Sequence, residues 1–267
     1  MYTLVQSSRI RGPAGEPLPV VYEALAQNDT RFIRGQLGLV AAGPGTGKSI
    51  FALTYALKAN VPTLYISADS DAFTQVSRSV SIMSGCHYSE AKRLTREDNP
   101  AAFTPLSGLP IRFAYDSSPT LDRIETLVNS YDEVYGDYPA MIVVDNITDV
   151  ITGGADNAEN PFAGLESLMG YLHDMARGTG AFVLGLHHVL GQYNDGDKPI
   201  PLSGIKGQIG RVPELVLTMH RIVSDYGPTL VRVSTVKQRA GRADPSGQSF
   251  AELEFDGEHM QLTDIGK

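Results

Sequence analysis

The eight residues AGPGTGKS at positions 42–49 constrain this chain more tightly than any other stretch. An apolar run, QLGLVA, precedes them and a helical apolar run, IFALTYAL, follows, so a buried strand must turn sharply into a helix. Glycines in such a turn let successive backbone N–H groups point into one concavity, which the positive end of the helix also faces. A concavity of that kind holds phosphate oxygens. The stretch meets the phosphate-loop template G-x-x-x-x-G-K-[ST] with Ala42 in the first place, where a small residue still fits. Gly43, Pro44, Gly45, Thr46, Gly47, Lys48, Ser49 and Ile50 are therefore expected to bind the phosphates of a ligand, with Lys48 on the outer phosphates and Ser49 on Mg²⁺.

A phosphate loop that uses magnesium needs a carboxylate from a neighbouring strand. AMIVVDN supplies one: Met141 to Val144 deliver Asp145 to the carboxyl end of a buried strand, where ligands bind in parallel sheets. An aspartate that merely caps a strand is the plain alternative, and the phosphate loop favours the metal role. Hydrolysis also requires a group that orients or deprotonates water. TLYISADSD ends another strand with Asp69 and Asp71; Asp69 comes first and is the candidate base, with Asp71 as the alternative.

The rest of the chain alternates. QLGLVAA, TLYISA, IRFAYD, AMIVVD and AFVLGLHH are short apolar runs of the kind that parallel strands buried on both faces show. Between them, Leu121, Ile124, Leu127, Val128 and Tyr131 recur at helical spacing behind a Ser/Thr cap. Phe162, Leu165, Leu168, Met169, Leu172 and Met175 do the same, with Gly178 as the expected stop. The pattern predicts an α/β fold: a mostly parallel sheet flanked by helices. After residue 212, ELVLTMHR, TLVRVSTV and SFAELEF lie between turn signals without intervening helices, which reads as an antiparallel extension. Residues 1–34 read as an arm with one short helix, and 35–267 as the core.

Composition narrows the partners. The 267 residues carry a formal net charge of −8, so any nucleic-acid contact must be local. The single Cys86 excludes an internal disulfide, and the first residues lack the apolar core of a secretion signal. No run reaches the roughly 18 apolar residues of a membrane span. A cytoplasmic location, in a bacterium or a phage-infected host, is expected.

Later strand ends carry further polar groups. GLHHV places His187 and His188 after an apolar run, pointing toward the nucleotide crevice. No third ligand sits at metal spacing beside them. STVKQRAGR ends a late strand with Lys237 and Arg239, which alternate onto one face around Gln238. Charges there are either a solvated strand end or fingers that reach a phosphate.

Taken together, the phosphate loop, the second-strand carboxylate, Asp145, the HH pair and KQRAG resemble the RecA/DnaB/KaiC superfamily of oligomeric P-loop ATPases, over roughly residues 30–262. HH is similar to the plasmid RepA hexameric helicases and KQRAG to DnaB-like helicase cores. The resemblance implies a RecA-like core, ATP hydrolysis, a homo-oligomeric hexameric ring or filament, and action on single-stranded DNA in replication or recombination. It makes His187 or His188 the γ-phosphate sensor, and Lys237 and Arg239 fingers acting in trans. The superfamily's base is usually Glu, and Asp69 is one carbon shorter. DNA-contacting loops would be TGGADNAEN and GQYNDGDKPIPLSGIKGQIGR; in the second, Lys206, Gly207 and Arg211 are placed to track phosphates, against Asp195 and Asp197. A KaiC-like regulatory ATPase that binds protein partners is the alternative, which the acidic balance favours, and a P-loop kinase is a weaker third.

Overall fold

The computed structural model describes residues 2–7, 12–152, 163–223 and 227–266. In chain order its helices are α1 (Leu4–Ser7), α2 (Glu23–Gln27), α3 (Lys48–Ala59), α4 (Ala72–Ser84), α5 (Tyr88–Arg96), α6 (Pro100–Phe103), α7 (Leu121–Tyr135) and α8 (Ala163–Thr179). The strands are β1 (Leu37–Ala42), β2 (Thr63–Ser67), β3 (Ile111–Tyr115), β4 (Met141–Asp145), β5 (Phe182–His187), β6 (Leu215–Ile222), β7 (Thr229–Gln238), β8 (Ala251–Asp256) and β9 (Gln261–Asp264).

Among the described residues, nine strands join one sheet in the order β3-β2-β4-β5-β1-β6-β7-β8-β9. The five apolar runs read from the sequence are the parallel strands β1 to β5. The expected antiparallel extension is corrected at its first member, because β6 runs parallel to β1, with Gly38 beside Leu215 and Ala42 beside Met219. Antiparallel pairing begins between β6 and β7. A local apolar pattern cannot tell these cases apart, since the direction of a strand depends on the neighbour it finds.

Every residue of β1, β2, β4 and β5 is buried, as strands covered on both faces require. One face packs on α3, whose residues Phe51, Leu53 and Leu57 are nearly inaccessible. The other packs on α7 and α8 through Ile124, Val128, Leu168 and Leu172. Thr120 caps α7 by accepting from Arg123 N, and Gly136 ends it at φ 77°. In α8 the helix continues through Gly178 to Thr179, and the left-handed residue is Gly180 at φ 69°, two positions later than expected.

The segment before β1 is tied to this frame. Leu18, Tyr22, Leu25 and Phe32 are buried; Tyr22 stacks on Phe51 and Phe32 on Phe182, with ring centroids 4.8 Å apart in both pairs. Side chains of that size contribute about 1.5–3 kcal/mol each on burial. Asp264 in β9 accepts from the Glu23 and Ala24 amides at the start of α2, joining the two ends of the chain. Tyr2, Leu4 and Val5 are exposed.

Helices α4 to α6 carry no apolar stripe that the sequence reading picked out. In α4, Gln75, Ser77, Ser79 and Ser81 are buried together with Val80 and Ile82, so burial there reaches polar residues beyond the apolar positions Val76, Val80 and Met83.

Candidate nucleotide site

At the carboxyl end of β1 the chain turns through Gly43–Gly47 into α3. Gly45 and Gly47 adopt φ of 71° and 108°, the left-handed region where a side chain is strained, and an added Cβ at either would meet open space. The concavity is therefore lined by backbone. Gly43 is constrained differently: a Cβ there would strike the Asn194 carbonyl, because the segment after β5 lies against the loop. Thr46 and Ile50 are buried, while Pro44 and Gly45 form the exposed rim.

Lys48 is 8% exposed, and its Nζ donates to Ala42 O at 3.0 Å and Gly43 O at 3.1 Å. Burial pulls its pKa below the ordinary lysine value, opposed by the nearby charges of Asp145 and Asp69. The amine thus curls over the mouth of the loop.

Asp145 ends β4 beside Ser67 of β2 and is 2% exposed. Its Oδ1 accepts from Ser49 Oγ at 3.2 Å and its Oδ2 from the Tyr65 hydroxyl at 2.9 Å. Burial raises its pKa, partly offset by these donors. A hydroxyl and a carboxylate oxygen meeting at the foot of an open backbone cradle form an oxygen donor set that suits magnesium. Among the described residues, no cluster of three or more His, Cys, Asp or Glu is placed to hold a metal by protein ligands alone.

The two candidate bases separate. Asp69 lies in the turn after β2, with its backbone N–H donating to Asp145 O at 3.2 Å. Its charge acts on Lys48, Asp145 and Asp149. Asp71 caps α4 instead, accepting from Thr74 N at 2.7 Å, and the Thr74 hydrogen bonds hold its carboxyl below the usual range.

The two histidines also diverge, because adjacent strand residues face opposite ways. This corrects the expectation that both point toward the crevice. His187 is wholly inaccessible and hydrogen-bonds through Nε2 to Lys206 O at 2.8 Å; burial lowers its pKa to about 4. His188 is half-buried, with Nε2 2.7 Å from Asn146 Nδ2. The Asn146 Oδ1 already accepts from Thr148 N and Oγ1, so its amide nitrogen faces the ring. His188 Nε2 therefore accepts, and its proton sits on Nδ1. Burial, then the Lys48 charge, lowers the His188 pKa.

Lys237 and Arg239 are not near this cradle. Gln238 pairs with Leu215 at the start of β6, which neighbours Gly38, whereas the loop follows Ala42 at the other end of β1. Four residues of strand separate the two levels, about 13 Å. Lys237 Nζ donates to Gly210 O and Arg211 O, and Arg239 pairs with Glu214 at 3.0 Å. Lys206 and Arg211 are exposed at the two ends of a 3-10 turn, Lys206–Arg211, in which Gly207 takes φ 75°. Asp195 and Asp197 are exposed in the same connection. The other expected DNA loop falls largely at 153–162, outside the described residues.

Some residues at the site escaped the sequence reading. Arg221, at the carboxyl end of β6, reaches Gly45 O at 3.4 Å. Reading β6 as a parallel neighbour of β1 would have flagged it, since ligands gather at that edge. Asn146 had a signal in its place directly after Asp145; Tyr65 and Asp149 had none.

The comparisons with known proteins agree with this architecture. The AAA domain family profile matches residues 23–190. The chain is 61% identical over 268 residues to the Gene 65 protein of Mycobacterium phage L5, covering 100% of both chains. It is 60% identical over 229 residues to the Gene 65 protein of Mycobacterium phage D29, covering 85% of this chain and 98% of that one. Among solved structures, a DnaB-like replicative helicase described with its primase interactions superposes with a TM-score of 0.81 at 16% identity, over 98% of this chain and 66% of that chain. A second solved structure, an ATPase domain, superposes with a TM-score of 0.80 at 16% identity, over 98% of this chain and 94% of that one. No helix among the described residues is long and apolar enough to cross a membrane. With its glycine cradle, Lys48, Ser49 and Asp145 gathered at one end of a parallel sheet, the chain belongs to the AAA domain family and has the RecA/DnaB-like P-loop NTPase fold.

Proposed function

We propose that this protein is a magnesium-dependent ATPase that works as a homo-oligomeric motor on single-stranded DNA, of the helicase or recombinase kind. One observation carries the reading: Lys48 and Ser49, with Asp69 and Asp145 from the ends of two other strands, converge on an open cradle of backbone at the carboxyl edge of the sheet. Gly43–Gly47 and the start of α3 hold the phosphates of ATP, and Lys48 leaves its two loop carbonyls for the outer phosphates. Bound magnesium supplies charge neutralisation at the transferring phosphate, and Ser49 and Asp145 are the residues that hold it. Asp69 is exposed beside them and orients or deprotonates the attacking water. His188, half-buried where His187 is wholly inaccessible and with its proton left on Nδ1, is the better-placed γ-phosphate sensor of the pair.

The position of Lys237 and Arg239, at the end of the sheet away from their own phosphate loop, supports a role on a neighbouring subunit. Lys206, Gly207 and Arg211 contribute a local basic contact to DNA. The formal net charge of −8 favours the second reading, a regulatory ATPase that binds proteins. ATP turnover measured with and without single-stranded DNA decides between them. Stimulation by DNA is expected; turnover indifferent to DNA establishes the regulatory reading, and turnover unchanged in Lys48→Ala overturns both.

A further inference from the structure

The two carboxylate oxygens of Asp145 have different partners. Oδ1 faces Ser49 and the cradle, whereas Oδ2 is held from behind by the Tyr65 hydroxyl. The register explains the reach. Tyr65 pairs with Val143 across β2 and β4, and both belong to the α3 side of the core; Asp145 is the next residue of β4 on that face. Two strand residues span about 6.6 Å. A phenol lying along the sheet covers that distance with hydrocarbon and arrives with one donor. Tyr65 is wholly inaccessible, and its ring rests on Phe113 at 5.2 Å between centroids. The Asp145 carbonyl is tied as well, by Ala68 N at 2.6 Å and Asp69 N at 3.2 Å.

Resting on the magnesium-nucleotide reading above, we infer that Tyr65 is a positioning residue: its hydroxyl fixes the carboxylate plane of Asp145 so that Oδ1 is presented to the metal. A carboxylate with one oxygen anchored loses less freedom when the other takes a ligand. Phenylalanine fills the same volume in a buried strand, so packing alone does not call for the oxygen.

The test is Tyr65→Phe in the full chain, with ADP binding followed by calorimetry in excess Mg²⁺ and again in EDTA. Affinity is expected to fall about tenfold with magnesium, the usual size of a lost outer-shell contact, and to stay within twofold without it. An equal loss in both conditions makes Tyr65 a packing residue and overturns the inference, as does an unchanged affinity. The Asp145→Asn variant gives a cross-check: adding Tyr65→Phe to it should produce no further magnesium-dependent loss, and a full additive loss also overturns the role. If Tyr65→Phe does not fold, 3-fluorotyrosine at position 65 keeps the ring and alters the hydroxyl's acidity, and magnesium-dependent affinity must change. Failure of the nucleotide reading looks different, because the unsubstituted protein then binds no Mg·ADP at all, and the inference falls with it.

Discussion

Replacing Glu214 by alanine tests how the frame that carries Arg239 is held. Glu214 is 9% exposed at the start of β6 and accepts three hydrogen bonds: from Leu37 N at 3.1 Å, His173 Nε2 at 2.9 Å and Arg239 Nη1 at 3.0 Å. The losses differ by site. Leu37 is wholly buried, and an amide stranded there costs about 1–3 kcal/mol. The His173 side chain is 18% exposed and recovers part of its bond from solvent, at a cost of about 1 kcal/mol. Arg239 is 54% exposed, so screening holds its share to at most about 1 kcal/mol. Glu214→Ala is therefore expected to destabilise by about 2–5 kcal/mol, and Glu214→Gln, which keeps an oxygen for Leu37, by about 1–2 kcal/mol. Urea unfolding followed by circular dichroism reads both as shifts in midpoint at constant slope. Nucleotide affinity should not change, because Glu214 lies at the opposite end of β1 from the phosphate loop. Equal losses for the two variants, or less than about 1 kcal/mol for alanine, refute the assignment of Leu37 N–H as the expensive orphan.

Asp69→Asn should bind Mg·ATP and hydrolyse it at least about a hundredfold more slowly, while Asp71→Asn keeps most activity; the reverse ranking in a phosphate-release assay makes Asp71 the base. Arg239→Ala and Lys48→Ala, each inactive alone, should regain partial turnover when mixed under subunit exchange; no recovery places Arg239 outside a shared site. Lys206→Ala with Arg211→Ala should weaken single-strand binding and flatten its salt dependence, because each lost phosphate contact removes about one released counterion. Unchanged slopes in a fluorescence-anisotropy titration move the DNA site elsewhere. His187 titrates near 4 in the fold against an ordinary value of 6.5. Its folded pKa is depressed, so its contribution is complete above pH 6.5 and is lost as pH falls toward 4, up to about 3 kcal/mol. A His187→Gln variant should lose less stability across that window, and an identical profile in acid-unfolding measurements contradicts a buried neutral His187.

Local chemistry alone makes the phosphate loop legible. Gly45 and Gly47 have to take conformations that side chains resist, and Lys48-Ser49 at a helix start has few other uses. Periodicity marks β1 to β5, α7 and α8 in the same way, because burial of one face or both writes its spacing directly into neighbouring residues. It marks α4 as well, where Phe73, Val76, Val80 and Met83 recur at helical spacing, but it does not show that Gln75 and three serines are buried beside them.

The sequence alone therefore determined the cradle, the strands that feed it and the carboxylate at the end of β4, each a property of fewer than twenty contiguous residues. Only the tertiary structure decided that β6 lies parallel to β1 with Arg221 at the loop, and that His187 turns away to Lys206 while His188 meets Asn146. Pairing direction and register are set by which distant strand a segment meets, and one step along a strand exchanges its two faces. For the same reason Tyr65, eighty residues from Asp145, reads in the sequence as one more core aromatic until β2 and β4 are placed side by side.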